Sequence, residues 1–185
     1  MSYLNAIVLG FVQGVTEFLP ISSSGHLILF SNFIGVDFEG VALEIILHCG
    51  TLLSLLFFFN KKIYQICIDI FLKRKIEYLT FLIIGILPVC LVGLMFKSFI
   101  EKIFDNISLV GIFLLITGLT LLFSNLFKRK KIIKMNFLIS LIIGLIQVLA
   151  LLPGISRSGM TISSAIFLGI KPQEAAKNDG KNSNR

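Results

Sequence analysis

Lysine and arginine are missing from the first 20 residues. The amino-terminus therefore lacks the positive segment that opens a cleaved secretory signal, and it is read as mature structure. Cysteine is scarce. Cys49, Cys67 and Cys90 are odd in number and far apart, which matches no metal-ligand spacing and leaves isolated thiols in or near helices. Charge is also thin, at 15% of 185 residues. Basic side chains outnumber acidic ones by 17 to 10, but they neither cover one face nor interleave with aromatics, which argues against a nucleic-acid binder.

What the chain has in quantity is hydrocarbon. It is 56% hydrophobic with 18 Phe and no Trp, and its mean hydropathy of +0.94 is far too high for a soluble domain of this size. Lipid is the expected solvent. Residues 41–59, 79–96 and 107–127 are long and apolar enough to cross a hydrocarbon core of ~30 Å as helices. Residues 3–18 and 136–152 are slightly short. Basic residues mark the connections: Lys61, Lys62, Lys73, Arg74 and Lys75 follow the first crossing, and the segment 128–134 follows the third. The positive-inside bias puts both clusters in the cytoplasm. Lys97, Glu101 and Lys102 read as an exposed helix end with a solvated i, i+4 pair.

The stretches GFVQGVTEFLPISSSGH (residues 10–26) and GLIQVLALLPGISRSGM (residues 144–160) align without a gap at an offset of 134. Gly10/Gly144, Gln13/Gln147, Ile21/Ile155, Ser22/Ser156, Ser24/Ser158 and Gly25/Gly159 are identical, and a Leu-Pro precedes each serine cluster. Constant register points to an internal duplication. Three crossings between the copies make their orientations opposite, the pattern of an inverted repeat.

In each copy an apolar arm leads to the polar cluster, and a return arm follows, residues 27–34 or 161–170. At 1.5 Å per residue such a return covers ~12–15 Å, about half the core. The predicted fold is an all-α polytopic membrane protein built as an inverted repeat of a re-entrant helical hairpin plus three transmembrane helices, with the second repeat incomplete. The first repeat covers residues 1–135 with its hairpin at 3–36; the second hairpin is 136–170, and 171–185 is a polar tail without periodicity, expected to be disordered. The hairpin tips are expected to meet within the membrane, where irregular backbone persists only if buried in protein or lining a wet cavity. The alternative is a pair of ordinary helices broken by Pro20 and Pro153, with serines bonding back to their own backbone.

Gln13 and Glu17 share a helix face at i, i+4 and are placed to offer oxygens to one hard cation. Glu17 is an ionisable group in an apolar segment, which marks it as functional by default. Ser23 and His26 stand in the turn that follows. At the second tip Arg157 supplies a planar fork for phosphate, and Gly154 and Gly159 let backbone N–H groups approach an anion. Ser158 is expected to cap the return arm, with Ser156 and Thr161 beside it. At the offset of 134, Leu151 stands where Glu17 stands and Arg157 where Ser23 stands: one copy carries acid and imidazole, the other the cation. Glu44 and His48, also at i, i+4, either line this cavity or serve at a helix boundary.

At these residues the chain resembles the undecaprenyl-diphosphatase, or bacitracin-resistance, family. QGVTEFLPISSSGH matches an (E/Q)-x-x-x-E motif running into a serine-rich turn and histidine, and PGISRSGMT matches P-G-x-S-R-S-G-x-T. HCGTLLSLLFFF and GILPVCLVGLMFKSFIE are similar to its intervening helices. The resemblance runs from about residue 3 to about residue 176. It implies removal of the terminal phosphate from undecaprenyl diphosphate at the bacterial inner membrane, on a site facing the extracytoplasmic side, with Mg²⁺ or Ca²⁺. It also implies a polyprenyl diphosphate lipid as partner, compatibility with a homodimer, and functional roles for Glu17, Ser23, His26 and Arg157, with Ser22, Ser156, Ser158 and Thr161 in support. Ser23 and His26 both remain candidates for the nucleophile.

Two departures accompany the resemblance. Gln13 stands where many members have Glu, which is expected to weaken cation binding. The family continues after KPQEAA into another apolar helix, whereas this sequence turns to KNDGKNSNR, the expectation being a truncated chain with impaired activity. A lipid-phosphate transporter or flippase, or an inactive remnant, are the rival readings.

Overall fold

The computed structural model describes residues 2–36, 42–72, 76–126 and 135–170. The start of the first expected crossing, the basic residues 73–75 and 128–134, and the expected disordered tail lie outside the described residues. Among the described residues all regular structure is helical. Ser2 opens the first helix, α1 (Tyr3–Phe18), by accepting a hydrogen bond from Asn5 N–H at 3.2 Å. Pro20 stops it, because a residue before proline is pushed out of the helical region, and Leu19 is extended at φ −92°, ψ 146°. The chain then reverses into α2 (Ser23–Phe33). The same device recurs at Pro153, where Leu152 is extended between a one-turn 3₁₀ helix (Leu149–Leu151) and α9 (Arg157–Phe167). α8 (Phe137–Val148) is the arm that leads in.

The middle of the chain departs from the expectation of three plain crossings. Among the described residues only α7 (Ile107–Leu126), with 20 residues, is by itself long and apolar enough to span a membrane, and three spans are reached if each of two bent pairs counts as one. Of the expected crossings, residues 42–58 and 79–95 become the apolar limbs of bent pairs. α3 (Ala42–Phe58) turns by 78° into α4 (Asn60–Phe71), and α5 (Ile76–Met95) turns by 81° into α6 (Lys97–Phe104). The expected loop beginning at Lys61 is therefore helix. Lys61, Lys62, Gln65 and Asp69 share one side of α4 and Ile63, Cys67 and Ile70 the other, the helical periodicity of a segment lying along an interface rather than crossing it. α6 carries the expected exposed pair, Lys97 Nζ to Glu101 Oε1 at 3.8 Å.

Burial is sparse where a soluble protein would have its core. Only 17% of the apolar window of α7 is buried, and Phe57, Phe58 and Leu94 are about four-fifths exposed, surface that water would penalise and lipid does not. What is buried is small and close. α8 lies along α5; a Cβ on Gly144 would stand 2.6 Å from Gly85 O, and Ser140 Oγ, one turn before Gly144, donates to Phe81 O, one turn before Gly85. Small residues at four-residue spacing let two helix backbones touch without a hydrophobic driving force. Leu9, Val12 and Leu27 seal α1 against α2, with Leu43 and Leu47 of α3 packed on them.

The two hairpins repeat their local bonding at the offset of 134. Asn136 caps α8 as Ser2 caps α1. Ser22 Oγ accepts from Gly25 N–H at 3.4 Å, and Ser156 Oγ from Gly159 N–H at 3.0 Å. Both return helices have 11 residues and end on a glycine in the left-handed region, Gly35 (φ +66°) and Gly169 (φ +84°). Beyond each glycine the amides of Val36 and Ile170 close onto Ser31 O and Ala165 O, the C-terminal capping that only such a backbone allows. Ser22 and Ser156 thus serve as N-caps; the cap expected of Ser158 falls to Ser156, because α9 begins at Arg157 and Ser158 already lies inside it. The tips also meet. A Cβ on Gly25 would lie 2.8 Å from Gly154 Cα, and one on Gly159 would lie 2.9 Å from Pro20 O. α7 packs against both return helices.

Candidate functional site

Beside the meeting tips lies a cavity of about 520 Å³. Glu17 closes α1, Ser22, Ser23 and Ser24 come from the first tip, Glu44 and His48 from α3, and Ser156, Arg157, Ser158 and Thr161 from the second hairpin. Thr16 and Gln147 also line it, and the rest of its wall is apolar, from Leu19, Ala150, Leu151, Ile155, Ile162 and Phe104. One side therefore suits a charged headgroup and the other a hydrocarbon.

Glu17 is the hub of the acidic side. Its Oε2 accepts from Ser23 Oγ at 2.5 Å and from Gln13 Nε2 at 3.1 Å, and stands 3.3 Å from His48 Nε2. Such convergence holds a carboxylate in one orientation and keeps a hydroxyl in contact with a base. His48 is fixed at its other nitrogen, since Nδ1 lies 2.8 Å from Glu44 O; a carbonyl only accepts, so Nδ1 carries the proton of that bond.

On the opposite side Arg157 is the first residue of α9, and its side chain is exposed without a hydrogen bond or ion pair among the described residues. Arg157 and Ser158, the first two residues of α9, both line the cavity, which puts a guanidinium and a helix amino end at one place, a combination that attracts phosphate oxygens. Thr161 Oγ1 donates to Arg157 O at 2.8 Å and accepts from Gln147 Nε2 at 2.9 Å, tying α9 to α8. Gly154 and Gly159 do not line the cavity; they form the contact between the tips.

His26 also stays out of the cavity wall. Its Nδ1 is 2.7 Å from Ser22 O, a bond within its own hairpin. His48 is the imidazole that the fold brings to Glu17. Its signal in the sequence was an ionisable pair, Glu44 and His48, one turn apart on an apolar helix.

A hard divalent cation needs several oxygen ligands gathered at one place. Among the described residues no three His, Cys, Asp or Glu gather as ligands. Gln13, 1% exposed, turns its nitrogen to Glu17, while its Oε1 is buried without a partner. Turning that amide over would lose no bond at its far end and would set Gln13 Oε1 beside Glu17 Oε2. Two oxygens tolerate that approach only with a cation between them, so the pair fits a weak site completed by substrate oxygens.

A helical protein with lipid-suited surfaces, two touching hairpins and an acid-serine-arginine cavity defines a class of membrane protein acting on a charged headgroup with an apolar tail. Residues 6–178 match the family model described as Bacitracin resistance protein BacA. A curated protein from Halothermothrix orenii, named Undecaprenyl-diphosphatase, is 39% identical over 180 residues, covering 96% of this chain and 68% of its own length. Proteins of the same name from Methanococcus maripaludis and Carboxydothermus hydrogenoformans are 42% and 43% identical, covering 94% and 96% of this chain and 71% and 67% of their own lengths. This chain belongs to the BacA family.

Proposed function

We propose that the protein hydrolyses the terminal phosphoanhydride bond of undecaprenyl diphosphate, releasing inorganic phosphate and leaving undecaprenyl phosphate for cell-wall synthesis. The observation that carries this reading is the 2.5 Å contact of Ser23 Oγ with Glu17 Oε2 in the cavity that holds Arg157. Glu17 accepts the Ser23 proton as Oγ attacks the terminal phosphorus. Arg157 and the amino end of α9 bind the oxygens on which charge accumulates, and the bond to the lipid phosphate breaks. Water then releases phosphate from Ser23. Glu17 with Gln13 is the proposed seat of Mg²⁺ or Ca²⁺, which would neutralise phosphate charge when bound.

The polyprenyl tail leaves along the apolar wall. An inverted arrangement of the hairpins is supported by the tip contacts: Gly25 against Gly154 becomes, at the offset of 134, Gly159 against Pro20, as a two-fold axis between the copies requires. Sidedness follows from α3. Glu44 lies in its first turn, while Lys61 and Lys62 follow its far end, so the positive-inside bias favours a cavity nearer the extracytoplasmic face.

Purified chain in lipid nanodiscs, given farnesyl diphosphate, is expected to release phosphate in a manner abolished by Ser23→Ala. Crossed hairpins also favour a second reading, a lipid-phosphate transporter. Headgroup translocation in vesicles without phosphate release would support it and reject the phosphatase.

A further inference from the structure

One hydroxyl of α7 holds both ends of the loop that presents Arg157. Thr117 is 3% exposed and does not line the cavity. Its Oγ1 donates to Gly154 O at 2.8 Å and accepts from Ser156 N–H at 3.1 Å. Only a group that both donates and accepts can close this bracket. At its first end the loop is committed: Gly154 has φ +96°, and a Cβ there would meet Val110 O at 2.6 Å.

Comparison of the copies isolates what the bracket does. Ser22 and Ser156 occupy equivalent positions and make the same capping bond, yet their backbones differ. Ser22 is at φ 69°, ψ 97°, and Ser156 is extended at φ −75°, ψ 120°. Thr117 bonds the amide of the extended one. The next residue is Arg157, so the conformation at Ser156 sets the direction in which α9, its first N–H groups and the guanidinium leave the tip.

We infer that Thr117 is a positioning residue for diphosphate binding, acting through Ser156 to aim Arg157 and the amino end of α9 at the headgroup. The inference rests on the proposed function. α7 also packs on α2, so the same helix that aims the cation supports the hairpin bearing Ser23, and the distance between the two sides of the cavity is set by one rigid element.

The test measures binding of farnesyl diphosphate by calorimetry to the full chain in nanodiscs, with Ser23→Ala as the parent so that the ligand is not consumed. Thr117→Ser, which keeps the hydroxyl, is expected to bind within about twofold of the parent. Thr117→Val, of equal shape, is expected to bind about tenfold more weakly. Adding Thr117→Val to Arg157→Ala is expected to cost at most about threefold further, because only the aim of the α9 amino end is then left to lose, a non-additivity that general loosening of the fold would not produce. Should the valine variant fail to fold, Thr117→Cys replaces it with about a threefold loss expected. Parent affinity in the valine or cysteine variant, or the same loss with and without Arg157, overturns the inference alone. Unchanged affinity in Arg157→Ala overturns the functional reading and the inference together.

Discussion

Gly25 and Gly154 touch backbone to backbone, so close that a methyl group on Gly25 would fall 2.8 Å from the Gly154 Cα. Residues from opposite ends of the described chain thereby join the two tips beside the cavity. Alanine at position 154 would meet both a carbonyl of α7 and a backbone at φ +96°. Gly154→Ala is expected to lower stability by about 2–4 kcal/mol, read as a reduced midpoint in detergent unfolding. Gly118→Ala, with open space around it, is the control and is expected to stay near the parent.

Ser23 and Glu17 are the proposed reactive pair. Ser23→Ala removes the attacking oxygen and Glu17→Gln the base, so each is expected to lower phosphate release by about 100-fold or more. The double variant should be little worse than either single one, because the groups act as a unit.

Arg157→Lys keeps the charge and loses the planar fork. A loss of about tenfold or more in kcat/KM is expected, with thermal stability unchanged because the guanidinium bonds to nothing among the described residues. A lysine variant with parent kinetics would show that charge alone suffices.

His48 holds Glu17 from across the cavity at 3.3 Å. His48→Leu is expected to reduce turnover by about tenfold, the order associated with losing one hydrogen bond to a charged group. His48→Gln, which can return an N–H donor to that place, is expected to recover part of the loss.

Gln13→Glu adds a second negative charge beside Glu17. The concentration of Mg²⁺ or Ca²⁺ that half-restores activity after chelation is expected to fall by about tenfold. An unchanged cation requirement would dissociate Gln13 from the cation.

The hairpins were legible because duplication preserves register: the shared Leu-Pro, the serines and the glycines recur at one offset, and each has a local job the backbone reports directly. α4 was illegible as helix because Lys61 and Lys62 read as the end of a crossing, and a segment lying along an interface shows too little apolar sequence to announce itself. Glu17, Ser23 and Arg157 stood out by residue type and place. His48 did not, since its approach to Glu17 depends on how α3 packs on α1, and no spacing along the chain encodes that. Nor could the sequence tell that Gln13 turns its nitrogen, not its oxygen, toward Glu17.

The Gly85–Gly144 crossing carries a consequence for how the molecule is put together. α8 beds onto α5, and every residue of that landing surface is translated before α8 leaves the ribosome. The second hairpin is therefore threaded onto a platform already in the bilayer, and the cavity comes into being only with the arrival of Arg157.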